Sequence, residues 1–201
     1  MSKIKMFALG GLNETGKNMY VIEVDKDIFI FEAGLKYSED ALLGIDYIIP
    51  NYDYLKENKD RIVGIFITHG HDEQMGALTD ILKDIPELKV YATKYTVYLI
   101  KKMLEAENIP TDNVYELQLH RNITFGKNSI FPIRVSHSTP DAVLYVLSSK
   151  PTMYLTCESN KQTSNNLEYT IIDKIAFDSN KENMKISLRT YSYAFESESE
   201  F

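Results

Sequence analysis

Residues 68–74 read Thr-His-Gly-His-Asp-Glu-Gln, which sets two imidazoles (His69, His71) and two carboxylates (Asp72, Glu73) around one glycine. The apolar run before them, Ile65-Phe66-Ile67, stops at Thr68, and Gly70 marks a turn. Neutral imidazoles suit Zn²⁺, and carboxylates beside a metal are the usual partners of an activated water. The candidate catalytic acids are Glu73 and Asp72. His-x-His alone is a weak signal, however. A relic of a metal site, or a turn that happens to hold two histidines, stands as the alternative.

Two further positions add to the pattern. His137 follows the apolar segment Phe-Pro-Ile-Arg-Val, and Glu158 follows Thr-Met-Tyr-Leu-Thr. The candidate metal ligands are therefore His69, His71, His137 and Glu158, each just past the end of an expected strand, where sites in layered α/β folds tend to sit. The remaining histidine, His120, reads as polar surface. Cys157 reads as a buried, inert thiol, with zinc ligation as the alternative. Ser-His-Ser at 136–138 has no oxyanion-loop signature beside it and does not read as a serine hydrolase. The Gly-rich stretch at 9–18 lacks the phosphate-loop spacing and is followed by a strand, so it reads as a tight turn near the site. Lys17 and Asn18 in that turn could touch an RNA backbone, a weak footprint at most.

The elements that must position these groups follow from hydrophobic periodicity. Strands are expected at 3–9, 19–24, 28–33, 62–68 and 88–93, with 19–33 forming a hairpin. Helices are expected at 51–61, 75–85 and 94–108, the last with the clearest amphipathic stripe. Short strands run from 113 to 156, followed by a helix near 168–177 and a strand near 184–190. Strands at both ends with helices between and after them point to stacked α/β layers.

Composition narrows the class. The chain has 201 residues, 44% hydrophobic and 25% charged, enough for one substantial domain. The net charge of −7 argues against a coat of basic surface for nucleic acid, but leaves room for a local groove. No apolar run approaches the roughly 18–20 residues that span a bilayer, and the N-terminal apolar stretch is too short for a signal peptide. A single cysteine excludes an internal disulfide and fits a reducing cytosol, so a cytoplasmic location without membrane contact is expected. The acidic tail Phe-Glu-Ser-Glu-Ser-Glu-Phe ends abruptly, as in a segment of a longer chain.

Three blocks carry a family resemblance: 7–23 (FALGGLNETGKNMYVIE), 32–78 (from EAGLKY through GIDYIIP to THGHDEQMGAL) and 136–143 (SHSTPDAV). They resemble the metallo-β-lactamase superfamily, whose signature is His-x-His-x-Asp-His after a buried strand, and more narrowly the ribonuclease J family. The resemblance implies a four-layer αββα sandwich, of which residues 1–201 would be the N-terminal portion before a β-CASP domain. It also implies two Zn²⁺ ions that activate water for RNA phosphodiester hydrolysis. His69, His71 and His137 match the family's first-site histidines. The rest departs: Glu73 stands for Asp, Gln74 for His, Glu158 for the bridging Asp and Glu32 for the Asp of an Asp-Ala-Gly block. An amide is a poor zinc ligand beside an imidazole, and a carboxylate one methylene too long is displaced by more than an ångström. Asp72 could rotate in to replace the displaced acid. The resemblance thus implies a degenerate dinuclear site holding one zinc or none. The protein would bind RNA weakly and assemble with an active ribonuclease J paralogue or with itself. The alternative is a working hydrolase running on one metal held by the three histidines.

Overall fold

The computed structural model describes residues 3–38 and 44–149, together with the strand backbones at 152–156, 160–163, 166–178 and 183–194. The chain opens with the meander β1 (Ile4–Gly10), β2 (Met19–Val24) and β3 (Asp27–Phe31), then a small ribbon, β4 (Lys36–Tyr37) and β5 (Tyr47–Ile48). Helix α1 (Asp53–Glu57) and a 3₁₀ turn at Lys59–Arg61 lead into β6 (Ile62–Phe66). Next come α2 (Asp72–Met75), α3 (Leu78–Asp84), β7 (Val90–Ala92), α4 (Lys94–Ala106) and β8 (Val114–Glu116). The remainder is all strand: β9 (Ile123–Phe125), β10 (Asn128–Arg134), β11 (Val143–Ser149), β12 (Thr152–Thr156), β13 (Asn160–Thr163), β14 (Asn166–Asp178) and β15 (Asn183–Ala194).

The first sheet has the order β1-β2-β3-β6-β7-β8. It is antiparallel across β1, β2 and β3 and parallel from β3 through β6 and β7 to β8. Parallel neighbours need crossovers, which α1 and the helices α2 to α4 supply. The second sheet, β12-β11-β10-β9, is antiparallel throughout.

Period-two alternation divides the central strands between two cores. Met19, Val21, Ile28, Ile30, Ile65 and Ile67 face the helices, with Leu78, Ile81, Ile100 and Leu104 opposite them. Ile22, Val24, Phe29, Phe31 and Phe66 face the second sheet, packed on Ile130, Val143, Tyr145 and Leu147. A strand buried on both faces reads as a continuous apolar run, which is why Ile62–Phe66 shows so little polar character. The Tyr145 hydroxyl donates to the Ile67 carbonyl at 2.8 Å and ties the second sheet to the end of the first. Helices, mixed sheet and antiparallel sheet are the first three layers of the αββα order.

Several elements differ from expectation. The helix expected at 51–61 is the five-residue α1 plus a 3₁₀ turn, and the one expected at 75–85 is split into α2 and α3. The helix expected near 168–177 is instead strand β14, hydrogen-bonded along its length to β15 and at one end to β13. Its Tyr169, Thr170, Ile171, Ile172, Ile175 and Phe177 are β-branched or aromatic, types that suit a pleated surface better than a helix. The strand expected near 184–190 is present as β15.

Candidate metal centre

The site lies past the ends of β6 and β10. After Phe66 the chain leaves the sheet through Ile67 and Thr68, turns at Gly70, and enters α2 with His71 as its N-cap. Helix α4 covers this turn: a Cβ on Gly70 would meet Leu99 of α4. Behind α2, Ala33, Leu35 and Asn18 take up its first carbonyls. Leu35 N donates to Asp72 O at 2.9 Å, Asn18 N to Glu73 O at 3.2 Å and Ala33 N to Gln74 O at 2.7 Å. Gly34 is needed here because any Cβ would overlap the Glu73 carbonyl. Ala33 and Leu35, with Asn18 at the end of the Gly-rich turn, are therefore a backbone clamp on the helix that carries the acids. Lys17, in that turn, is paired with Glu14 at 3.2 Å.

His69, His71 and His137 converge. Each offers one ring nitrogen, and the three atoms lie within 4.8 Å of one another. Ring centroids are 4.8 Å apart for His69 and His71, 4.0 Å for His69 and His137, and 5.0 Å for His71 and His137. His69 Nε2 is 3.2 Å from His71 Nδ1. Two nitrogens on a tetrahedral zinc, each bound at ~2.0–2.1 Å, would stand roughly 3.3–3.4 Å apart. That edge of a coordination tetrahedron is thus already formed by residues two apart in sequence.

The tautomer of His69 follows from its neighbours. The Thr68 hydroxyl donates to Glu32 Oε1 at 2.5 Å, and the Thr68 backbone N–H donates to Glu32 Oε2 at 3.2 Å. With its proton committed, Thr68 Oγ1 accepts from His69 Nδ1 at 2.9 Å, so His69 carries its lone pair on Nε2, facing His71. Glu32, Thr68 and His69 are all buried, and Glu32 holds a left-handed backbone at φ 64°. Burial, reinforced by His137 and His71, pushes the His69 imidazole down to about 3, and burial beside His71 also lowers His137. Both are therefore neutral in the physiological range, as ligands must be. Ser138 Oγ lies 3.4 Å from His71 Nε2 and 3.3 Å from His137 Nδ1, closing the loop that bears the third histidine onto the first two.

The acids do not join this group. Asp72 accepts the Tyr37 hydroxyl at 2.5 Å, a bond that raises the Tyr37 pKa. Glu73 sits half-buried in the first turn of α2, and Gln74 is buried on the same helix. Among the described residues, no carboxylate completes the histidine cluster. Glu158 and Cys157 lie outside the described residues. His120 is exposed and outside the histidine cluster, with its ring 6.3 Å from Phe131. The donor set fits one zinc-type ion held by neutral nitrogens. Sequence reasoning missed the roles of Thr68 and of Glu32, whose only sequence signal was its place in a family block.

Comparison with known proteins agrees with this geometry. Residues 12–154 match the metallo-β-lactamase superfamily. Ribonuclease J 2 of Staphylococcus epidermidis is 40% identical over 141 residues, 70% of this chain and 25% of that protein. Ribonuclease J2 of Bacillus subtilis is 43% identical over 142 residues, again 70% and 25%. The chain thus spans about a quarter of the length of the curated relatives it matches. Among solved structures, an Enterococcus faecalis protein of unknown function matches with a TM-score of 0.57 at 12% identity, covering 79% of this chain and 44% of that one. The short form of human tRNase Z matches with a TM-score of 0.52 at 15% identity, covering 76% and 68%. These two show the fold alone. The superfamily match, the extent of identity to the ribonuclease J2 proteins and the lactamase layering together mean that this chain belongs to the metallo-β-lactamase superfamily, within its ribonuclease J family.

Proposed function

We propose that this chain is the lactamase-fold segment of a cytoplasmic ribonuclease J-type RNA-processing protein whose dinuclear site has decayed. On this reading one zinc position remains, held by His69, His71 and His137, and hydrolysis is weak or absent. The protein then serves as a low-activity subunit beside an active ribonuclease J paralogue or a second copy of itself, with RNA as a weakly held ligand. The observation that carries the reading is a three-imidazole cluster with no acid in it among the described residues, next to a buried amide, Gln74, on the adjoining helix. A bound zinc would supply a polarised water. The residues of this chain hold its ligands neutral and oriented, through Thr68 and Glu32. Lacking a second ion to clamp the leaving oxygen would cost several kcal/mol of transition-state stabilisation, roughly a thousandfold or more in rate.

A second reading, an active mononuclear zinc hydrolase, is favoured by that same orienting relay, which is more elaborate than a relic requires. Glu73 or Asp72 would then be its acid-base group. Metal analysis after chelator-free purification, with His69→Ala as control, tests the site itself. About one zinc per chain, lost in the control, is the expected result; no metal in the wild type would overturn it. Gln74→His, Glu73→Asp and Glu158→Asp combined then test the decay. Fast metal-dependent cleavage of single-stranded RNA before those changes would sink the low-activity reading.

A further inference from the structure

The loop that carries His137 is fastened to the start of α4 by Asp141, at a place where a helix N-cap has been rewired. Thr93 is the N-cap of α4, yet its side chain makes no capping bond to its own helix. Its hydroxyl instead donates to the Asp141 backbone carbonyl at 2.8 Å. The missing cap comes from the other partner: the Tyr95 backbone N–H donates to Asp141 Oδ2 at 3.1 Å. This is the bond an N-cap side chain normally makes to the second helical residue, delivered from 46 positions away. Asp141 makes it from a left-handed backbone, φ 64°, which only glycine, asparagine and aspartate adopt readily.

The same short loop is pinned at two other points. Val135 N donates to Ala142 O at 3.0 Å, closing the loop on itself. Val143 N donates to Thr68 O at 3.0 Å, joining it to the residue before His69. Helix α4 is thus a shared brace: Leu99 lies over Gly70, between the first two histidines, and the helix start holds the loop of the third.

We propose that Asp141 is a positioning residue for the metal centre: by capping α4 from the His137 loop, it sets the distance of His137 from His69 and His71. The inference rests on the three-histidine site proposed above. Outer groups that orient a metal ligand commonly govern affinity by about 10–100-fold.

The test is zinc affinity of the full-length protein by chelator competition, together with the visible spectrum of the Co²⁺ form. Asp141→Gly keeps the backbone conformation and removes the cap, while Asp141→Asn keeps both the conformation and a capping oxygen. The expected result is affinity about tenfold or more weaker and an altered cobalt spectrum for D141G, with D141N close to wild type. Thermal unfolding of the metal-free proteins shows whether each variant is folded at the assay temperature, and D141N keeps the comparison meaningful if D141G is not. Equal affinity in D141G and wild type would overturn the positioning role and leave the metal site standing. D141N as weak as a folded D141G would overturn it too, because the capping oxygen is still present there. Absence of zinc binding in the wild type would overturn the site and this inference together.

Discussion

Glu32 and Thr68 are 36 residues apart, and both carboxylate oxygens of the first are taken by the second, one by its backbone N–H and one by its hydroxyl. The pair joins the end of β3 to the turn that begins the histidine motif, and the relay continues from Thr68 Oγ1 to His69 Nδ1. Both residues are buried, so the relay works in a medium where an unmet polar group is costly.

Thr68→Val should therefore separate shape from relay. The side chain keeps its volume and loses the hydroxyl, leaving one Glu32 oxygen and His69 Nδ1 without that partner. We expect zinc affinity to fall about 10–100-fold and stability to drop by about 1–3 kcal/mol. Thr68→Ser should retain most of both. Chelator competition and urea unfolding measure the two effects. Unchanged affinity in Thr68→Val would show that His69 is oriented by packing alone.

Gly34 and Gly70 flank the same helix and should respond differently to alanine. A Cβ on Gly34 overlaps the Glu73 carbonyl, part of a backbone clamp that cannot move without breaking the bonds from Leu35, Asn18 and Ala33 to α2. A Cβ on Gly70 meets only the tip of the Leu99 side chain, which can change rotamer. Gly34→Ala is expected to cost about 3 kcal/mol or more, and Gly70→Ala about 1 kcal/mol. Urea midpoints compared at constant m give the ranking, and equal losses would contradict it.

Parts of this arrangement were legible in the sequence because they are local. The hairpin of β2 and β3, the buried run of β6 and the stripe of α4 follow from alternation or 3.6-residue spacing within each segment. His137 could be named beside His69 and His71 from its place just past an expected strand and from the family blocks, but nothing local fixes the convergence of residues 66 and 68 positions apart. Thr68–Glu32 and Asp141–Tyr95 were illegible for the same reason: each is a contact between segments, and Thr and Asp are common turn residues in their own right. The expected helix near 168–177 failed because apolar residues there fit both periods, and strand pairing with β15 decided between them.

The last prediction concerns acid stability. Glu23, on β2, accepts the Tyr54 hydroxyl at 2.7 Å and pairs with Arg61 at 3.0 Å and Lys5 at 3.2 Å. The Tyr54 bond is the largest cause, and with the two cations it outweighs desolvation and holds the carboxyl down to about 2. A carboxylate whose folded pKa lies below its unfolded value stabilises the protein fully above the unfolded pKa, near 4.5, and loses that contribution as pH falls through the folded one. The full linkage would be about 3 kcal/mol; with the cations partly in solvent, about 1–2 kcal/mol is the expected size. Glu23→Gln should therefore be less stable than wild type by that amount from pH 5 upward. The two stability curves should converge between pH 4.5 and 2, where the wild-type side chain becomes neutral as well. Urea unfolding across this range measures the gap, and a difference that stays constant down to pH 2 would show that Glu23 acts through packing and not through its charge.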